Sequence, residues 1–259
     1  MRHALKVFYD GKNFFGSQRQ PDKRTVEGEL LSSIKKLKIN LKDFKGACRT
    51  DRGVSSLGNV YAVSSDIKVI LGAINSKLPK DIRVLAAKKV DDDFNPRHDA
   101  LGKTYKYFLF DDGYSFSRIK KAAGIFKGTL SFHNFSILDG RNPVRTIKSI
   151  NVKKVEGFFV FTVIGESFLW QMIRRLMGAV KMAGEGKLEL DDIERLLDPQ
   201  VESKISPLPP ENLVLWEVEY PFEFTHDDHS AERLKKDILK KRIDAKRESL
   251  ISRLLIEEL

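Results

Sequence analysis

The sequence predicts an α+β protein built from two strand–helix–strand–strand–helix–strand units that share one extended, mainly antiparallel sheet with a central cleft. Three observations predict it. Short segments alternate apolar and polar residues between Gly, Asp and Pro turn signals. Other segments repeat apolar residues at helical spacing, and the same order of elements comes round twice.

In the first half, Leu5–Tyr9 alternates like a strand and stops at Asp10-Gly11. Thr25 stands where it can cap a helix whose Val26, Leu30, Ile34 and Leu37 share a face. A short segment at Ala47–Thr50 and a longer one at Gly58–Ser64 read as strands. A helix near Val69–Ser76 then leads to a strand at Arg83–Val90, which completes the ferredoxin-like order.

In the second half, Thr104–Phe110 is a strand and Ser117–Gly124 a helix. Thr146–Val155 and Phe158–Ile164 form a hairpin that turns at Glu156-Gly157. A long apolar helix follows at Phe168–Ala183, a short one near Leu190–Leu197, and a closing strand at Leu213–Glu219. The expected organisation is therefore 1–100, 101–221, and a charged tail at 222–259 that is helical over residues 231–256. Ile243, Leu250 and Leu254 fall on one stripe of that tail, which suits packing on the body or on a second copy.

Composition narrows the function. The chain has 46 Lys and Arg against 36 Asp and Glu, a formal charge of +10. The tail holds nine of each sign, so the whole excess lies in residues 1–221. Residues 1–50 carry 12 basic and five acidic side chains, and residues 101–150 carry nine and three. A basic body with a groove attracts polyphosphate, most commonly nucleic acid. The single cysteine, Cys48, excludes an internal disulfide framework and a cysteine-built zinc site. The longest nearly apolar run, Gly157 to Gly165, is too short to span a bilayer, and Met1–Lys6 lacks the apolar core of a signal peptide. A cytoplasmic protein with no membrane association is expected.

No phosphate-cradling loop, dinucleotide fingerprint, nucleophile elbow or His-Glu-x-x-His is present. His226-Asp227-Asp228-His229 has no third organised ligand and reads as solvated linker, and His98 and His133 read as packing or surface residues. The segment that stands out is Ala47-Cys48-Arg49-Thr50-Asp51-Arg52-Gly53-Val54, an aspartate between two arginines and before a glycine. Nearby cations favour the ionised carboxylate. Such a group in a basic cleft serves as nucleophile, base or salt-bridge post, and these residues alone leave all three open. If the segment is extended, Arg49 and Asp51 face one side while Cys48 and Thr50 face the other. Gln171, Arg174 and Arg175 make one polar stripe on an otherwise apolar helix, and Lys103, Tyr105 and Tyr107 share a strand face.

Taken together, the motifs resemble the TruA family of tRNA pseudouridine synthases over most of residues 7–220. Tyr9 through Gln18 is similar to that family's Y-x-G-x-x-F-x-G-x-Q opening, and Thr25-Val26-Glu27-Gly28 to its first helix start. Arg49-Thr50-Asp51-Arg52-Gly53-Val54 resembles its R-T-D-x-G-V loop. Phe94-Asn95-Pro96-Arg97 to Ala100, then Lys103-Thr104-Tyr105-Lys106-Tyr107, matches F-x-x-R…A…K-x-Y-x-Y. Phe168 to Arg174 and on to Gly178 matches F-L-Y/W-x-M-V/I-R-x-x-x-G. Ser55-Ser56 stands where His-Ala is frequent, Ser17 where Trp is frequent, and Asn212 replaces a Gly of the P-P-x-G-L-x-L run. Those departures suggest an archaeal-like lineage outside the common bacterial one. Asn tolerates the same left-handed backbone as Gly, so the change at Asn212 is physically mild.

The resemblance implies the pseudouridine synthase fold and isomerisation of uridine to pseudouridine in the tRNA anticodon arm, at positions 38–40. Asp51 would be the nucleophile, Arg174 its ion-pair partner, and Tyr105 the active-site tyrosine. Arg49 would fill the space left by a flipped nucleotide, since a stacked base is out of reach until extruded at a cost of ~2–4 kcal/mol. Arg52, Lys103 and Arg175 would contact RNA. A homodimer is implied, with one tRNA spanning both copies, and no metal or organic cofactor. Two rivals compete. A noncatalytic RNA-binding protein leaves Asp51 unexplained among phosphates, and a hydrolytic glycosylase needs a second carboxylate to activate water.

Overall fold

A computed structural model describes residues 1–67 and 70–258. Its centre is a ten-stranded, mostly antiparallel sheet. The first half contributes β1 (Arg2–Tyr9), α1 (Val26–Lys36), β2 (Leu41–Gly46), β3 (Ser55–Ser65), α2 (Leu71–Lys77) and β4 (Ile82–Val90). The second contributes β5 (Gly102–Phe110), α3 (Phe116–Ile125), β6 (Gly128–Ser131), β7 (Val144–Val155), β8 (Phe158–Gly165), α4 (Met172–Gly184), α5 (Leu190–Arg195) and β9 (Leu213–Glu219). Then come β10 (Thr225–His226) and α6 (Asp228–Glu258).

The strands lie in the order β10-β4-β1-β3-β9-β5-β8-β7-β6, with β2 paired to β3. The order β4-β1-β3-β2 recurs as β9-β5-β8-β7, so the strand–helix–strand–strand–helix–strand order does run through twice. The two halves meet where Ser55 and Ser56 of β3 pair in parallel with Val214 and Leu215 of β9. Along the same edge of β3, β2 covers only Tyr61–Ser65. The chain leaving β2 therefore crosses the junction between the halves, and that crossing carries Asp51.

Local chemistry explains the main elements. The Thr25 hydroxyl accepts the Gly28 N–H at the start of α1, with Glu27 and Glu29 in its first turn and Lys35 and Lys36 in its last. Val26, Leu30 and Ile34 then bury against Leu5, Val7, Tyr61, Val63 and Val84 of the sheet. In the second half, α3 and α4 enclose Tyr107, Leu109, Phe159, Phe161 and Val163, all nearly inaccessible. The β7–β8 turn places Glu156 (φ 48°) and Gly157 (φ 78°) both in left-handed backbone, the geometry that a two-residue hairpin needs.

Several expectations are corrected. Ala47–Thr50 is not a strand. Ala47 still donates to Val60 O at 2.8 Å, but Cys48 N–H finds the Asn59 side-chain oxygen at 3.2 Å, so a side chain replaces the ladder and the backbone departs. The second strand is instead Leu41–Gly46. The helix expected from Phe168 starts at Met172, because Gln171 sits at φ 60° and breaks the run. Strands β6 and β10, four and two residues long, were too short to show a period. Val69, where the second helix was expected to begin, lies outside the described residues, as does Lys68.

His226-Asp227-Asp228-His229 is solvated, with His226, Asp228 and His229 exposed, but it is not a linker. His226 pairs with β4, Asp227 N–H donates to Leu85 O, and the Ser230 hydroxyl donates to the Asp227 carboxylate at the start of α6. His133 is bound by Ser131 and the Val201 carbonyl, a packing role. Asn212 ends a short 3-10 turn and is not among the left-handed residues, so the left-handed tolerance of asparagine is not called on there. In α6 only Ser230 and Leu234 are buried, and Ile243, Leu250 and Leu254 are all about half exposed. None of the described helices is long and apolar enough to cross a membrane.

Candidate active site

The loop from Ala47 to Val54 is built from below by the N-terminal segment. Ser17 N–H donates to Thr50 O at 3.1 Å, and the Ser17 hydroxyl accepts Thr50 N–H at 2.8 Å. The Thr50 hydroxyl meets the Tyr9 hydroxyl at 2.8 Å, and Asn59 donates to Tyr9, to Tyr61 and to Cys48 O. These bonds hold Cys48 and Thr50 inward, while Arg49 is exposed and Asp51 stands half-buried beside it. The expected alternation of faces thus survives without a strand.

Two glycines let the backbones approach. A Cβ on Gly11 would lie 2.2 Å from Val54 O, and one on Gly16 (φ 93°) would lie 2.9 Å from Thr50 O. Val54 N–H closes the turn onto Asp51 O at 3.2 Å, with Gly53 at φ 86°. Ser17 and Ser56, at two positions of departure from the family pattern, both act here. Ser56 donates to Leu215 O at 3.1 Å and accepts from Asn59 N–H at 2.8 Å, tying the two halves together under the loop.

Asp51 is gripped by two donors, one from the first turn of α4 and one from the segment leading into it. Arg174 Nη1 donates to Oδ2 at 2.8 Å, and the Trp170 indole N–H donates to Oδ1 at 2.9 Å. Arg174 is itself fixed by donating Nε to Leu208 O at 2.7 Å, and its side chain is 11% exposed. Left-handed Gln171 turns the chain so that Trp170 and Arg174 converge on one carboxylate from outside and inside the helix. Each oxygen accepts one of these bonds and keeps a lone pair for a reacting carbon.

Asp51 lines a cavity of about 670 Å³ together with Arg49, Arg52, Lys103, Tyr105 and Arg174, all singled out from the sequence. That is room for a nucleotide-sized ligand. Arg52 rests its guanidinium 4.3 Å from the Phe15 ring centre. Lys103 is nearly buried beside Cys48. Burial pushes the Tyr105 phenol well above its ordinary range, and the neighbouring Cys48 thiol adds to the effect. Tyr105 therefore keeps its proton and acts as a donor. Its ring meets Phe168 edge-to-face at 5.2 Å.

Arg175 is not brought to this site. It donates to Ile205 O at 2.6 Å and to the Gln171 side chain, and it is absent from the cavity lining. Sequence reasoning missed Trp170 as a site residue, because it sat inside an expected helix. It also missed Arg97 and Arg141, which reach the cavity from loops distant in the chain. Asp139 is the second carboxylate of the lining, tied to Arg141 at 3.4 Å. Among the described residues no group of three His, Cys, Asp or Glu side chains is arranged to hold a metal.

Over 249 residues the chain is 45% identical to tRNA pseudouridine synthase A of Thermococcus sibiricus, covering 93% of both chains. It belongs to the tRNA pseudouridine synthase A family. The counterpart in Thermococcus gammatolerans is 41% identical over 250 residues, with 93% of each chain covered. That of Methanothermobacter thermautotrophicus is 40% identical over 238 residues, covering 89% of this chain and 86% of its own. Family membership makes the protein an isomerase. The family model described as tRNA pseudouridine synthase matches residues 122–221, which include Trp170 and Arg174. The full-length relatives extend the match to the half that carries Asp51. Among solved structures, a chain of the Cbf5-Nop10-Gar1 complex aligns over 70% of this chain and 54% of its own, at 18% identity and a TM-score of 0.37.

Proposed function

We propose that the protein converts uridine to pseudouridine in the anticodon arm of tRNA, at positions 38–40, with Asp51 as nucleophile on a flipped nucleotide. The observation that carries this reading is a carboxylate held by Arg174 and Trp170 inside a cavity to which Arg49, Arg52, Arg97, Lys103 and Arg141 also contribute. A surface evolved only to bind phosphate has no use for that charge, which repels it. Uridine extrusion exposes the base to Asp51 and Tyr105, and Arg49 and Arg52 replace the lost stacking and hold the strand open.

In the reaction the N1–C1′ bond breaks and a C5–C1′ bond forms. The C5 proton leaves and N1 gains one, so nothing is oxidised and no energy source is consumed. Asp51 holds one fragment covalently, at C1′ or at C6, while the base turns. Arg174 and Trp170 hold the carboxylate aimed until it attacks and receive it again when the covalent bond is released. Tyr105, held in its protonated form by burial, stacks near the base and assists proton transfer as a hydrogen-bond donor. The hydrolytic alternative would require Asp139, which is ion-paired with Arg141 at 3.4 Å, as the second carboxylate that activates water.

The same reading has two such chains, each organised as 1–100, 101–221 and the 222–259 tail, sharing one tRNA in the cytoplasm. Its test is direct. Unmodified tRNA transcript incubated with the protein alone acquires pseudouridine in the anticodon arm, seen as carbodiimide adducts or by mass spectrometry after derivatisation. Tight tRNA binding with no isomerised base would sink the reading.

A further inference from the structure

Beside the Asp51 pair, the same cavity is lined by two guanidinium ions that the isomerisation chemistry leaves unused, Arg97 and Arg141, with Arg145 near them but outside the lining. Arg97 comes from the β4–β5 connection, and Arg141 and Arg145 come from the segment around the start of β7. Among the described residues Arg97 and Arg145 form no ion pair, and Arg141 has only Asp139, at 3.4 Å. They lie close enough to repel one another. Burial and then Arg141 and Arg49 lower the Arg97 pKa, and burial and then Arg141 and Arg97 lower that of Arg145.

The backbone under these arginines is fixed. Arg97 N–H donates to Asn95 Oδ1 at 3.1 Å, and the Tyr220 hydroxyl donates to Pro96 O. Arg145 Nη1 donates to Asn142 O at 2.9 Å and Val144 O at 2.6 Å, which leaves its buried Nε without an acceptor. Asp139 (φ 49°) and Gly140 (φ 71°) are both left-handed, and Arg141 N–H closes that turn onto Leu138 O at 2.9 Å. Ile137 N–H donates to Trp170 O at 2.9 Å, so the turn carrying Arg141 is tied to the residue whose indole touches Asp51.

Holding three guanidiniums together with Asp139 as the one ion-paired carboxylate among the described residues is unfavourable unless a further anion completes the group. Planar guanidinium forks fit a phosphate with paired N–H···O bonds. We propose that Arg97, Arg141 and Arg145 form a phosphodiester-binding subsite that grips the RNA backbone beside the nucleotide held at Asp51. The assignment rests on the tRNA reading of the cavity. It adds a division of labour: Arg174 serves the reacting carboxylate, and this cluster serves the strand.

The test is equilibrium binding of unmodified tRNA transcript to the full chain across a salt series. Arg97→Gln and Arg141→Gln should each weaken binding about tenfold near physiological salt and lower the log–log salt slope by about 1. Arg141→Lys should keep the slope. Arg97→Gln should leave the melting temperature of the free protein unchanged or raised, since it relieves repulsion. Unchanged slopes in both glutamine variants overturn the subsite, as do affinities that fall only in step with melting temperature. If wild type makes pseudouridine while the slopes stay fixed, the subsite alone fails. If wild type makes none, the isomerase reading fails whatever the slopes do.

Discussion

The indole N–H of Trp170 donates to Asp51 Oδ1 at 2.9 Å, on the opposite oxygen from Arg174. One donor is half exposed and the other almost buried, so the carboxylate is clamped between the open cavity and the protein interior. A single donor would leave the group free to rotate about its Cβ–Cγ bond. Trp170→Phe keeps the aromatic wall and removes the bond. A hydrogen bond to a charged group contributes ~1.5–3 kcal/mol, so kcat should fall ~10- to 100-fold with a smaller change in KM. Trp170→His, which restores an N–H donor, should recover part of that loss in the same steady-state assay.

Arg174 does two things at once, pairing with Asp51 and donating to the Leu208 carbonyl. Arg174→Ala strands a half-buried carboxylate and a carbonyl together. Thermal or urea unfolding should show a loss of ~2–4 kcal/mol, alongside loss of turnover. Arg174→Lys should recover stability better than activity, because a lysine has one ammonium where the guanidinium reaches both partners.

The Asp51 loop is positioned by close backbone approach. Gly11→Ala puts a methyl 2.2 Å from Val54 O and must displace the loop, and Gly16→Ala adds left-handed strain. Both should cost ~1–3 kcal/mol and reduce turnover beyond what stability explains. Gly72→Ala, in α2 with nothing within 4 Å, should stabilise by ~0.5–1 kcal/mol and serves as the matched control.

Burial raises the phenols of Tyr9, Tyr61, Tyr105 and Tyr220 well above their usual 10, and that of Tyr107 to about 12. The folded state holds these protons after the unfolded chain has released them. Their contribution to stability is therefore complete below pH 10 and lost as pH rises above it. Unfolding free energy should fall through that window by ~1.4 kcal/mol per pH unit for each such phenol. Near-ultraviolet phenolate absorbance should appear together with unfolding, where freely titrating tyrosines would ionise near pH 10 in the folded protein.

Much of this was legible in the chain. Alternation located β1, β5, β7, β8 and β9 closely, and the Glu156-Gly157 turn announced its hairpin. Asp51 stood out because an acid between two arginines is odd in a basic body. Long-range substitutions were not legible. No local pattern says that the Asn59 side chain will stand in for a strand partner of Cys48, or that Gln171 will take a left-handed backbone within an apolar run. For the same reason the sequence placed Arg175 beside the substrate, whereas its guanidinium closes onto Ile205. The arginines of two remote loops meet only after the sheet has formed.

The most direct measurement compares wild type with Asp51→Asn on unmodified tRNA, following pseudouridine formation, tRNA affinity and melting temperature on the same preparations. Asparagine keeps the shape and one acceptor oxygen, enough for Arg174 or Trp170 but not for both, and it lacks the nucleophilic charge. Turnover should fall by at least about 10³ while tRNA affinity changes little. Pseudouridine formed by Asp51→Asn at a rate near wild type would contradict the account, as would a collapse in melting temperature large enough to explain the lost activity.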